Sequence, residues 1–420
     1  MSVSKILIEP GTRFTCDPCG FCCNFWDIHI DGARREYLLQ KEWVQQKSKD
    51  VDEKQRHSLF RIVGQDDSAV IQRTAGFCSF LNEEKLCSIH STEGMHAKPQ
   101  VCLQYPNVYY RTPRGLEVYL DFSCPEVVKN RGELVTSEAV AATLAREHVF
   151  QVNSRVRLNS FTTLEWEGYE ALEQTLLHIL SKPWPHRQRI LGIYQVCQEL
   201  GENLKSDPHS TNQKVGEALG NLRSRDDASF ATLLQGLNGD RAKRDLYVAI
   251  FLHWVESTYG AQIRDSSTGS LSLLSDVLRQ WKGWGKKTFL VLKIEASFRK
   301  VDPVSFDSSN PEVGQILDRY LRYLVKTLPG TGEIPIAKRI AIIAINYALV
   351  EWLSKAHAAA NGATFTAPES VVFGIQNVEK FLSNRLFNRL IEQKNFVANF
   401  IQTLLEMPTL PRVLLGNLRK

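Results

Sequence analysis

Of the nine cysteines in this chain of 420 residues, eight fall within the first 124. Four open as Cys16-x-x-Cys19-x-x-Cys22-Cys23, and Cys78, Cys87, Cys102 and Cys124 complete the set. Thiolates two residues apart in a turn are the ligands that a soft metal ion or an iron–sulfur cluster requires. Two four-thiolate zinc sites would use all eight in a structural role. One or more iron–sulfur clusters would use some as ligands and leave the others packed around them. Side chains of adjacent residues diverge in extended backbone. On that geometry the short motif serves more than one site, or one of Cys22 and Cys23 is not a ligand. Spacing alone does not choose the metal. His29 and His90 are available as extra ligands, although the cysteines already suffice. Cys197 stands apart in the helix-like stretch Ile190–Leu200 and reads as a small packed apolar residue.

Disulfides are the competing use of so many cysteines. Met1 to Thr15 contains Lys5, Glu9, Pro10 and Arg13 and no long apolar core, which argues against export to an oxidising compartment. Adjacent Cys22 and Cys23 cannot bridge each other without strain. The expected location is the cytoplasm. A chain of this length exceeds one core and implies two or three domains. Its 43% apolar and 23% charged residues are those of an ordinary globular protein. The net charge of +5 is small and dispersed, so no nucleic-acid partner is expected. The longest apolar stretch, Ile340 to Val350, is interrupted by Asn346 and is too short for a bilayer, so no membrane is expected and a core helix is.

The elements that must hold the cysteines are irregular. Helical spacing runs from about Arg34 to Lys47, with Tyr37, Leu38, Trp43 and Val44 on its apolar side. Val70, Ile71, Phe80 and Leu81 bracket the turn bearing Cys78. Asn107–Arg111 and Leu116–Leu120 flank Thr112-Pro113-Arg114-Gly115 and predict a β-hairpin, which would return Cys124 toward Cys102. From about Ser137 the pattern turns helical: Tyr169, Leu172, Leu176, Leu177 and Leu180 follow Trp166 at helical spacing. Loops are expected at 207–212, 265–270 and 329–335. A helix is expected to start at Pro311 under an Asn310 cap, with further helices at 337–360 and about 368–404. The fold class that follows is α+β and predominantly α. A cysteine-rich metal domain at 1–135 packs on an all-helical body at 136–420, with a sub-boundary near 260–270.

Cys16-x-x-Cys19-Gly20-x-Cys22-Cys23, Gly76-Phe77-Cys78-x-Phe80-Leu81, Leu86-Cys87-x-Ile89 and Cys102-x-x-Tyr105-Pro106 together resemble the CxxCxxCC cysteine-cluster family of zinc- or iron-chelating domains, over about residues 12 to 110. The run from Gly115 to Ser123-Cys124-Pro125-Glu126 resembles the flagellin lysine-N-methylase branch of that family. More loosely, so do Trp166-x-x-Tyr169-x-x-Leu172-Glu173 and Asp318-Arg319-Tyr320-Leu321-x-Tyr323-Leu324. The resemblance implies methyl transfer from S-adenosylmethionine to lysine side chains of flagellin or another lysine-bearing surface protein. It also implies an iron–sulfur cluster, 4Fe-4S in preference to zinc, at the cysteine domain.

Methyl transfer to lysine needs a neutral amine aligned with the sulfonium methyl in an aromatic or carbonyl-lined slot. Tyr105, Tyr109, Tyr110 and Trp166 could line one, but core packing explains most such residues. No strand–Gly-x-Gly-x-Gly–helix unit occurs, and Gly330-Thr-Gly332 lies between helices. The cofactor therefore needs a site of another kind, and neither catalytic nor cofactor-binding residues can be assigned. The alternative function is a non-catalytic zinc or iron–sulfur protein with a structural, redox or partner-binding role.

Overall fold

The structure is a computed structural model describing residues 5–24, 27–55, 58–64, 66–74, 76–144, 149–205, 212–224, 227–264, 270–330, 334–382 and 396–416. The loop expectations at 207–211, 265–269 and 331–333, and 383–395 of the helix expected at 368–404, lie outside the described residues. The chain forms two compact units. The first is built mainly from Met1–Tyr109 and Leu116–Val149, the second from Tyr110–Gly115, Phe150–Gly260 and Ser267–Lys420. The architecture is mixed α+β and predominantly helical.

Two small sheets organise the first unit. In one, strands Ile6–Ile8, Gly115–Leu120, Asn107–Thr112 and Val149–Gln151 lie in that order, and Ile6–Ile8 pairs parallel to Gly115–Leu120. The expected hairpin is its centre: β-branched and aromatic residues on both sides of Pro113-Arg114 form the two long strands. Tyr109, Leu116 and Val118 pack on Val140 of the helix Ser137–Thr143. In the other sheet, Ala69–Ile71 is flanked by Ile28–Ile30 and Phe60–Ile62, both antiparallel. Ile28, Ile30, Leu38, Phe60, Ile71 and Phe80 make its core, with Cys23, Cys87 and Cys102 packed against it.

The helix expected over Arg34–Lys47 is broken into Gly32–Leu39 and Glu42–Gln55. The cause is Glu93. Its carboxylate accepts from Tyr37 Oη at 2.9 Å and Trp43 Nε1 at 2.8 Å, and pairs with Lys41 Nζ at 3.1 Å. Residues six apart lie on different faces of a straight helix, so a turn at Gln40–Lys41 is needed to bring Tyr37 and Trp43 to one carboxylate.

The second unit is built on the helix Ile336–Ala360, whose Ile340–Val350 stretch is buried on every side. Apolar residues all round are the mark of a core helix. No helix among the described residues is long and apolar enough to cross a membrane. Pro368–Leu382 and His186–Asn203 pack on it. The helix Pro311–Lys326 begins as expected: Asn310 Oδ1 accepts from the amides of Glu312 and Val313, with proline in the first turn. The body is not wholly helical, which corrects the expectation. It carries two antiparallel ribbons, Arg155–Arg157 with Thr163–Glu165 and Lys286–Phe289 with Ile294–Ser297. Runs of three or four residues are too short to show a period of two.

Candidate metal centre

The motif Cys16–Cys23 is shaped by Gly20, which adopts a left-handed φ of 68° ahead of a 3₁₀ turn at Phe21–Cys23. A β-carbon there would stand 3.3 Å from Leu81 and from Lys85. Glycine is therefore required both by backbone angle and by close approach. The turn's end, Asn24, bridges to Phe77 on the ribbon Arg73–Thr74/Phe77–Cys78, which places Cys78 beside the motif. Asn82 Oδ1 accepts from the Leu86 amide at 2.7 Å and closes the turn between Cys78 and Cys87. Cys87 caps the helix Ser88–Glu93, and Cys102 lies on the helix Gln100–Gln104 behind Pro99. The hairpin brings Ser123, the neighbour of Cys124, back to Tyr105. Its base closes by Asp121 N–H donating to Pro106 O at 2.8 Å, and Tyr105 Oη and Ser123 Oγ meet at 3.2 Å.

Five cysteines, Cys22, Cys23, Cys78, Cys87 and Cys102, line one cavity of about 70 Å³, together with Asp27, Phe80, Lys98 and Tyr105. Cys22 Sγ and Cys23 Sγ are 3.8 Å apart. The backbone here is a tight turn and not extended, so adjacent side chains do not diverge but face the same cavity. Cys16, Cys19 and Cys124 do not line the cavity, yet they join the same electrostatic cluster: Cys16 and Cys124 each feel the charges of Cys19 and Cys22. Cys22 is the common member, because its charge also reaches Cys23, Cys78 and Cys102. All nine cysteines are free thiols.

Burial, more than the neighbouring thiols, keeps Cys78, Cys102 and Cys124 in the neutral form. The hydrogen bond with Cys22, then burial, push Cys23 well up. Burial raises Cys78 to about 12, against the Phe80 amide, which donates to its sulfur. Burial raises Cys124 to about 12, against the amides of Val127 and Glu126. Cys102 is raised by burial and then by Cys78, while Lys98 opposes. Several thiolates cannot coexist in such a place without a cation to offset their repulsion. That is the environment a thiophilic metal or cluster fits, since its binding deprotonates the ligands. Among the described residues no three His, Cys, Asp or Glu side chains stand close enough together, as placed, to hold a metal ion.

His29 and His90 are exposed and are not among the residues that line the cavity. Cys197 is buried on the helix His186–Asn203 of the second unit, where burial alone raises its pKa. The lining also holds three polar side chains that the cysteine pattern does not assign to the centre, Asp27, Lys98 and Tyr105. Arg73 pairs with Asp27 at 3.2 Å. Tyr105 is kept a neutral phenol by burial and by the charges of Cys124, Asp121 and Cys22. The sequence marks Tyr105 by its place three residues after Cys102 and as an aromatic residue that could line a slot.

Residues 15–128 match the CxxCxxCC family model, described as "Putative zinc- or iron-chelating domain". Over 353 residues, 80% of this chain and 70% of the relative, the chain is 22% identical to the lysine-N-methylase of Salmonella typhimurium. It is 21% identical over the same shares to that of Salmonella choleraesuis. It is also 23% identical over 167 residues, 36% of this chain and 88% of the relative, to the flagellar biosynthetic protein FliU of Salmonella muenchen. No solved structure gives a significant match. Residues 15–128 thus match a chelating-domain model, and most of the chain is similar, at about 22% identity, to proteins named lysine-N-methylase.

Proposed function

We propose that this protein is a lysine N-methyltransferase that uses S-adenosylmethionine and carries a cysteine-ligated 4Fe-4S cluster, in preference to zinc, in a domain spanning 1–135. The observation that carries the reading is the reach of the similarity. It covers 80% of the chain and so extends well past the cysteine domain into the body at 136–420. The ligands are drawn from Cys16, Cys19, Cys22, Cys23, Cys78, Cys87, Cys102 and Cys124. Cys22 comes first, because it lines the cavity and its sulfur stands 3.8 Å from that of Cys23. A bound cluster supplies electron-accepting capacity and an anchor for the loops that ligate it. Ile28, Ile71 and Phe80 give the thiols apolar walls, and Tyr105 adds a neutral phenol to the same lining. The substrate amine must lose its proton before its lone pair can take a methyl group. A water-poor slot favours that neutral form by desolvation. The names of the relatives support flagellin, or another protein with surface lysines, as the methyl acceptor.

Anaerobic purification followed by iron, zinc and sulfide analysis and a visible spectrum tests the cluster. Incubation with radiolabelled S-adenosylmethionine and flagellin, or lysate of the host, tests the reaction. Label on lysine, lost in Cys22→Ser, is the expected result. A fully metallated protein that neither binds S-adenosylmethionine nor transfers label would overturn the enzyme reading in favour of a non-catalytic metal protein. A colourless zinc-only preparation would overturn the cluster.

A further inference from the structure

The helix Ser270–Trp281 of the second unit is covered on one side only. Val277 and Gln280 are buried. Leu274 and Leu278 lie one helical turn apart on another side and are 56% and 44% exposed. Trp281 is the next residue at their spacing, and its Nε1 donates to Ala242 O at 2.8 Å. From Leu271 to Leu274, Leu278 and Trp281 the steps are three, four and three. This is the a/d spacing along which one helix meets another, and the anchor spacing of a helix laid against a partner.

The turn after the helix extends the exposed face. Gly283 and Gly285 have φ of 69° and 79°, in the left-handed region that favours glycine. The Gly283 amide donates to Gln280 O at 2.9 Å, and the Trp284 amide donates to Arg279 O at 2.8 Å. This is a Schellman closure, which needs a left-handed residue at that point. The Phe298 amide then donates to Gly285 O at 3.1 Å. The backbone around Trp284 is thus tied on both sides, while its side chain is 61% exposed. Tryptophan is enriched among the residues that anchor protein interfaces.

Charge around this face is one-sided. Arg279, Lys282, Lys286 and Lys287 fall within residues 279–287, which hold no acid. Glu295 pairs with Lys286 at 3.2 Å, and Asp276 pairs with Lys287. Arg279 and Lys282 are exposed, and among the described residues no carboxylate pairs with either. Lys282 Nζ lies over the Trp281 ring, 4.5 Å from its centroid.

We propose that this face docks an acidic amphipathic helix of a partner protein. Apolar residues of that helix, at a/d spacing, meet Leu274, Leu278 and Trp284, and its carboxylates meet Arg279 and Lys282. The uncovered stripe is narrow, a seam and not the broad apolar face with which a helix lies in a bilayer surface. A second copy is disfavoured, because a symmetric pair would set these cations against themselves. The docking face is independent of the methylase reading.

The test uses the full chain, prepared anaerobically, and two peptides of about three heptads with leucine at a and d. One carries glutamate at e and g, the other lysine. Tryptophan fluorescence and calorimetry are the readouts. The glutamate peptide should bind about tenfold or more tighter than the lysine peptide, and added salt should weaken it. Leu278→Ser should weaken it about fivefold or more. Lys282→Glu should weaken the glutamate peptide and strengthen the lysine peptide. Both substituted side chains are exposed, so the unfolding midpoint should stay close to that of the parent. The assignment is overturned if neither peptide binds, if the two bind equally, or if both variants fold and bind like the parent. Tighter binding to phosphatidylglycerol vesicles than to the glutamate peptide, lost in Leu278→Ser, would overturn it in favour of a membrane. A concentration-dependent dimer lost in the same variant would overturn it in favour of a second copy.

Discussion

Glu351 is 5% exposed, yet it is ionised between two arginines. Arg187 Nη2 lies 2.6 Å from both of its oxygens, and Arg244 Nη2 lies 2.9 Å from one. Burial alone would raise its pKa, but the charges of Arg244 and Arg187 outweigh that and lower it to about 2. The drop from 4.5 to about 2, at 1.36 kcal/mol per pH unit, amounts to roughly 3 kcal/mol in favour of the charged, folded form. Replacement by glutamine keeps the shape and removes the charge. Arg244 is then left without its buried counter-ion, with only Asp245 at 4.0 Å. Glu351→Gln should therefore destabilise the second unit by about 3 kcal/mol, near the lower end of what breaking a buried pair costs. Urea denaturation followed by tryptophan fluorescence, with Trp352 adjacent, measures this at pH 7. The sign with pH follows from the lowered pKa. The contribution is fully present above pH 4.5 and is lost as the pH falls toward 2. The gap between parent and variant should therefore close across that window. A difference below about 1 kcal/mol at pH 7, or one equally large at pH 7 and pH 2.5, would refute the argument.

Cys22→Ser should cut metal content measured by elemental analysis after anaerobic preparation. Cys197→Ser should leave the metal intact while lowering stability by about 1–3 kcal/mol, because a hydroxyl replaces a thiol that is 1% exposed. Burial, reinforced by Lys287, depresses His253 to about 3, so it is neutral in the fold but protonated in the unfolded chain below 6.5. Stability present above pH 6.5 should then fall with pH by up to about 1.4 kcal/mol per unit. His253→Gln should flatten the dependence of the denaturation midpoint between pH 6.5 and 4.5, and an unchanged slope would disprove the assignment. Gly283→Ala should cost about 1 kcal/mol of thermal stability. No atom lies within 4 Å of the added carbon, so an equal melting temperature would contradict the backbone argument.

Local chemistry was legible. The cysteine spacing, the hairpin over 107–120, the Asn310-Pro311 helix start and the core helix around 340–350 each depend on residues within a few positions of one another. Their signals are turn residues, period and caps, which neighbours determine. Other features depended on distant residues. The helix break at Gln40–Lys41 follows from Glu93, about fifty residues on. The shared orientation of Cys22 and Cys23 follows from the left-handed Gly20 turn against Leu81 and Lys85. The pairing of Glu351 with Arg187 and Arg244 draws on helices far apart in the chain. The sequence by itself determined which side chains carry thiol, charge and aromatic surface and which local elements bear them. Only tertiary packing decided which of these are desolvated together. The energy of a buried charge or unmet hydrogen-bonding group is set by the partners within a few ångströms, and chain order does not specify those partners.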